Sequence, residues 1–171
     1  AASWMVSMLT FATVVFAPIF GLLVDKIGHG TRWMLTGAVL ALIAHLMLAF
    51  APSGIPFYGY LSMVFLGFGY SLVPAAMWPS VPKIVPNKVL GTAYSLIYWV
   101  QNLGLMSFKM FAGKILADTN LDKGVSEAGA FWVEVMFVAV CVVALLLALS
   151  LSVYSRRNPH LKMDVPDRAV K

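Results

Sequence analysis

Apolar residues run through this chain in blocks of membrane thickness, and charged residues fall between the blocks. Residues 1–24 hold no Asp, Glu, Lys or Arg, and neither do residues 33–82. A bilayer core is crossed by a helix of roughly 20 apolar residues. The pattern therefore predicts five membrane helices, at about 1–24, 33–51, 57–80, 89–117 and 129–155, with a polar tail at 156–171. Proline lacks an N–H and clashes with the preceding turn. Pro18 is expected to kink the first helix, and Pro74 and Pro79 to interrupt the third. The expected fold is all-α and integral to the membrane, with a helical half-bundle over 1–155 and the tail expected to be disordered at its end.

The first break in the apolar pattern is the stretch Gly21–Trp33, GLLVDKIGHGTRW. Asp25, Lys26, His29 and Arg32 crowd into it. Unpaired charges in hydrocarbon cost several kcal/mol, about 2.5 or more each, so the stretch belongs at a membrane surface. Gly28 and Gly30 are expected to make the reversal, since glycine tolerates positive φ. Gly21 and Asp25 are four apart and share a helix face, with Gly28 a turn later.

Composition sharpens the class. The chain is 61% hydrophobic and 11% charged, against about 45–50% and about 25% in soluble domains. In a soluble protein a net charge of +5 would suggest nucleic acid, but here the cations flank apolar spans and topology accounts for them. Lys26, Arg32, Lys83, Lys88, Arg156, Arg157, Lys162, Arg168 and Lys171, nine of the 12 Lys and Arg, fall on one face of the five-span arrangement. Lys123 lies opposite, beside Asp118, Asp122 and Glu127, while Lys109 and Lys114 sit in the outer part of the fourth span. Lys and Arg accumulate on the cytosolic side, so the nine-cation face and the tail are expected to be cytosolic. Five spans then start the chain on the opposite side. The chain opens inside an apolar run without Met, and reads as a piece of something longer. Cys141 is the single cysteine, so neither an intrachain disulfide nor a cysteine metal cluster is expected. No Ser/His pair, His–Glu–His zinc pattern or mid-membrane carboxylate dyad appears, so neither an enzyme nor a cofactor or metal is expected.

The motif G-x-x-x-D-K-x-G-x-G-x-R, carried by Gly21, Asp25, Lys26, Gly28, Gly30 and Arg32, resembles the short cytoplasmic loop signature of the major facilitator superfamily. With five spans, a proline-bearing third span and a cytosolic tail, essentially the whole chain resembles spans eight to twelve, from the C-terminal half of a twelve-helix major facilitator fold. MWPSVPKIVPNKVLGTAYSLIYWVQNLG and VYSRRNPHLKMD are more specifically similar to lysosomal dipeptide carriers of that superfamily. The resemblance implies a multi-pass lysosomal membrane protein, with the plasma membrane as the alternative. It implies a solute carrier for small peptides, working by alternating access; no acid within the spans lies near mid-membrane, which fits a uniporter or coupling supplied by the missing half. It also implies a missing N-terminal half, a heavily glycosylated single-span lysosomal membrane protein as partner, and a role for Asp25 in closing the cytosolic side. The rival function is a non-transporting receptor or scaffold that keeps the fold.

The residues suggest where substrate would lie. Tyr70, Ser71, Pro74, Met77 and Trp78 share a face of the third span. Pro74 deprives the Tyr70 carbonyl of its usual partner, which is tolerated where the carbonyl is buried in protein or lines a watery cavity. Tyr94, Tyr98, Gln101 and Asn102 share a face of the fourth, with Ser95 at its edge. Two such stripes could form a cavity wall for a zwitterion, with Tyr70, Trp78, Tyr94, Tyr98, Gln101 and Asn102 as candidates. Trp78 and Tyr94 are equally readable as interfacial belt residues, and Gln101 and Asn102 as helix–helix hydrogen-bonding groups. His45, isolated on an apolar helix, reads as a packing residue before a proton relay. Lys109 and Glu134 are read either as an ion pair between spans or as side chains that snorkel outward. Gly21, Gly37, Gly59, Gly67, Gly69, Gly91 and Gly104 are read as close-packing positions.

Overall fold

A computed structural model describes residues 2–52, 55–119 and 127–166. Five long helices follow one another: α1 (Ala2–Ile27), α2 (Gly30–Phe50), α3 (Pro56–Ile84), α4 (Leu90–Thr119) and α5 (Glu127–Arg157). Short 3₁₀ turns at Asn87–Val89 and Pro159–Leu161 follow α3 and α5. Among the described residues there is no strand. Lys123, Asp122, Arg168 and Lys171, with the turn residues Ser53 and Gly54, lie outside the described residues.

α1, α2, α3 and α5 contain stretches long and apolar enough to cross a membrane. α4 has the length, at 30 residues, which is about 45 Å of helix. Its sequence is more polar, because Tyr94, Ser95, Tyr98, Gln101, Asn102, Ser107, Lys109 and Lys114 interleave with the apolar positions.

α3 stays one helix despite Pro74, Pro79 and Pro82, so the expected interruption does not occur. Its neighbours hold it in place. α2 presents Gly30, Met34, Gly37, Ala38 and Ala44 to the interior, and α3 answers with Gly67, Gly69, Ser71, Leu72 and Ala76. Small faces allow backbones to approach closely, which is how membrane helices gain contact without a hydrophobic driving force between them. At the crossing, a Cβ on Gly69 would stand 2.8 Å from the Gly37 carbonyl oxygen, and one on Gly37 would stand 2.7 Å from Val73 Cγ2. Ser62, Ser71 and Ser80 each donate to a carbonyl four residues back, so their buried hydroxyls are satisfied within α3.

α1 docks on α3 through Phe16 and Phe20, whose rings lie 4.6 and 5.9 Å from Phe68. α5 docks on α2, where His45 stacks on Phe137 at 5.1 Å and Phe50 meets Phe131 at 6.0 Å. α4 buries none of its residues and touches α3 only sparsely. The close-packing reading of the glycines holds for Gly37 and Gly69. At Gly21, Gly91 and Gly104 a Cβ would meet nothing within 4 Å among the described residues.

Candidate functional site

α3 and α4 meet at an aromatic seam. The ring of Trp78 stacks on Tyr98 at 4.8 Å with an interplanar angle of 27°, and Tyr94 lies 5.6 Å from Trp78. The Tyr94 hydroxyl donates to the Trp78 carbonyl at 3.1 Å. That carbonyl needs a partner from outside α3. In a helix it would accept from the N–H four residues on, and Pro82 has none. The proline that strips the carbonyl and the tyrosine that serves it together fix where α4 crosses α3.

Two cavities flank the seam. One of about 710 Å³ lies among α2, α3, α4 and α5, and its lining includes Tyr70, Pro74, Met77, Gln101 and Cys141. A second of about 390 Å³ lies between α1 and α3, lined by Thr13, Gly21, Tyr70, Pro74 and Trp78 among others. Tyr70 borders both and is 57% exposed. Trp78, Tyr94 and Tyr98 are thus brought together. Gln101 stands at the larger cavity, and Asn102 turns back to donate from Nδ2 to the Tyr98 carbonyl at 2.8 Å. Among the described residues no group of three or more His, Cys, Asp or Glu is placed to hold a metal ion.

The basic segments converge at one end of the bundle. α1 continues through Asp25 and Lys26, so only Gly28 and His29 separate it from α2. Gly28 takes φ 73° and His29 φ 58°. Gly30 opens α2 in ordinary helical conformation, so His29 occupies the second left-handed position expected of Gly30. Trp33 Nε1 donates to the Gly28 carbonyl at 3.0 Å, bracing the turn. Asp25 is half-buried without a hydrogen-bonding or ion-pair partner among the described residues, while Lys26 and Arg32 are exposed.

The segment after α5 lies on this turn through Pro166; the tail end expected to be disordered, residues 167–171, is outside the described residues. His29 offers α2 no side-chain cap, and Asp164 supplies one. Its carbonyl accepts from the His29 N–H at 2.8 Å. Its carboxylate accepts from the Thr31 N–H at 2.9 Å and from the Thr31 and Ser155 hydroxyls, each at 2.8 Å. A carboxylate at a helix N-terminus also gains from the macrodipole. Burial pushes the Asp164 carboxyl upward, but those donors and the nearby His29 outweigh it and hold it below the usual range.

A second polar contact joins α2 to α5: His45 Nδ1 lies 2.8 Å from Glu134 Oε2. Glu134 is thus paired with His45, and the pairing with Lys109 does not form. Neither His45–Glu134 nor Thr31–Asp164 has a local signal, since the partners are 89 and 133 residues apart. The Tyr94–Trp78 bond did leave one: Pro82, four residues after Trp78, marks the carbonyl that needs an outside donor.

The five helices and the turn that joins α1 to α2 define a class, and residues 1–170 match the Major Facilitator Superfamily model. The chain belongs to that superfamily. It is similar to the lysosomal dipeptide transporter MFSD1 of Mus musculus, at 37% identity over 91% of this chain and 31% of the relative. The Homo sapiens protein of that name is 36% identical over the same shares, and that of Bos taurus 40% identical over 85% of this chain and 28% of the relative. The chain therefore spans about a third of the length of these curated relatives.

Proposed function

We propose that this chain supplies helices eight to twelve of a carrier that moves dipeptides across the lysosomal membrane by alternating access, as a uniporter. The basic end is cytosolic on this reading. The aromatic seam carries it: Tyr94 and Tyr98 pack on Trp78, Trp78 lines the smaller cavity, and Tyr70 borders both cavities. A dipeptide needs partners for its two charged termini and a tolerant wall for two variable side chains. Trp78 and Tyr98 offer flat apolar faces, and Tyr98 and Gln101 add groups that donate and accept. The charge-assisted contacts to the termini come from the rest of the carrier. Superfamily membership and the names of the relatives support transport over catalysis.

The test is dipeptide uptake into vesicles holding the full-length carrier. Trp78→Ala and Tyr98→Ala should each raise KM about five- to thirtyfold, from the loss of contacts of about 1–2 kcal/mol. Unchanged KM in both variants would return these side chains to the role of interfacial belt. Saturable binding of dipeptide without flux would favour the receptor or scaffold.

A further inference from the structure

The geometry points to a strap: residues 158–166 fasten the α1–α2 turn to the ends of α3 and α5, so that this end of the half-bundle moves as one body. Four observations carry it. Asp164 reaches the turn twice, with its carbonyl on the His29 N–H and its carboxylate on Thr31. The same carboxylate takes the Ser155 hydroxyl, tying in α5. Lys83 Nζ, at the end of α3, donates to the Val165 carbonyl at 2.9 Å. Met163 is 2% exposed, so the strap is seated by an apolar anchor as well as by polar contacts.

The fit on the turn is close. A Cβ on Gly28 would stand 2.6 Å from the Asp164 carbonyl oxygen and 2.8 Å from the Pro166 ring. The motif glycine is therefore needed both for its positive φ and for the strap that lies over it. Without the strap, the Thr31 N–H would lose its acceptor, and the turn would keep the Trp33 bond to the Gly28 carbonyl and the apolar contact of Val24 with Met34. A half-bundle that must swing as a unit would then flex at the turn. The strap thus sets how fast the carrier rearranges, and it does not touch substrate.

Amide hydrogen exchange on the full-length carrier in lipid nanodiscs tests the contact. In Asp164→Ala, and to a smaller degree in Thr31→Val, residues 29–31 should exchange at least tenfold faster than in wild type, while residues 37–45 at the α2–α3 crossing keep their protection. Unchanged exchange at 29–31 would overturn the strap. Acceleration across both segments would also overturn it, since Asp164 would then support the whole fold. The effect on cycling rests on the transport reading. Dipeptide uptake by Asp164→Ala should show turnover reduced severalfold at unchanged KM, a pattern opposite to that of Trp78→Ala. Full turnover with a loosened turn, or a raised KM, would refute the role in cycling. If wild type carries no dipeptide, the transport reading fails, while the exchange measurement still decides the strap.

Discussion

Replacing His45 by Ala removes the partner of Glu134 between two membrane helices. The side chains of His45 and Glu134 are only 14% and 23% exposed, and they approach to 2.8 Å. Two magnitudes compete for the outcome. An ordinary interhelical hydrogen bond in a membrane contributes about 0.6 kcal/mol. Breaking a buried ion pair by removing one partner costs about 3–5 kcal/mol, because the remaining charge has lost its compensation. The ring contact of His45 with Phe137 adds about 0.5–1.5 kcal/mol to whichever applies. If the pair is ionic, His45→Ala should destabilise by about 3–5 kcal/mol. The double variant His45→Leu/Glu134→Leu should cost clearly less than His45→Ala alone, since it leaves no orphaned charge. The assay is reversible denaturation of the purified full-length protein in lipid-like micelles, with both single variants and the double compared at one pH. A cost near 0.6 kcal/mol for His45→Ala, or a double variant no more stable than that single one, would refute the ionic reading and leave a neutral hydrogen bond.

Three further outcomes follow from the packing. Gly69→Ala would push a methyl against the Gly37 carbonyl at 2.8 Å; overpacking of this kind costs about 1–3 kcal/mol, measurable in the same denaturation assay, and an unchanged midpoint would mean the helices part without penalty. Tyr94→Phe removes the donor to the carbonyl that Pro82 leaves free, which should destabilise by about 0.5–1.5 kcal/mol while the ring contact persists. The strap should respond to acid in one direction only. The Asp164 carboxyl is held below its ordinary value, so its stabilisation is present above about pH 4 and is lost as pH falls through the lower folded value; exchange at residues 29–31 should, after correction for intrinsic rates, rise in that acid range.

Much of this architecture is determined by the sequence alone, because its causes are local. Apolar runs of membrane length produce helices wherever they occur, and Gly28 marks a reversal because few other residues take positive φ without strain. The superfamily motif sits in that same stretch, and the charge count predicts which end faces the cytosol. Tertiary structure decided what depends on helix rotation and on partners far along the chain. His45 reads as an isolated packing residue and Glu134 as a partner of Lys109 or a snorkelling side chain, until α2 and α5 turn the two toward each other. Of the helix glycines read as close-packing positions, Gly37 and Gly69 meet a crossing backbone, while Gly21, Gly91 and Gly104 meet none among the described residues. Pro74, Pro79 and Pro82 look like breaks in a linear reading, yet packing keeps α3 continuous, and Tyr94 from the next helix serves the carbonyl that Pro82 leaves free. Asp164 stands in a polar tail with no local reason to order. It becomes a helix cap because α5 returns it to the turn where His29 leaves α2 uncapped, and a buried N–H must find an acceptor wherever the fold supplies one.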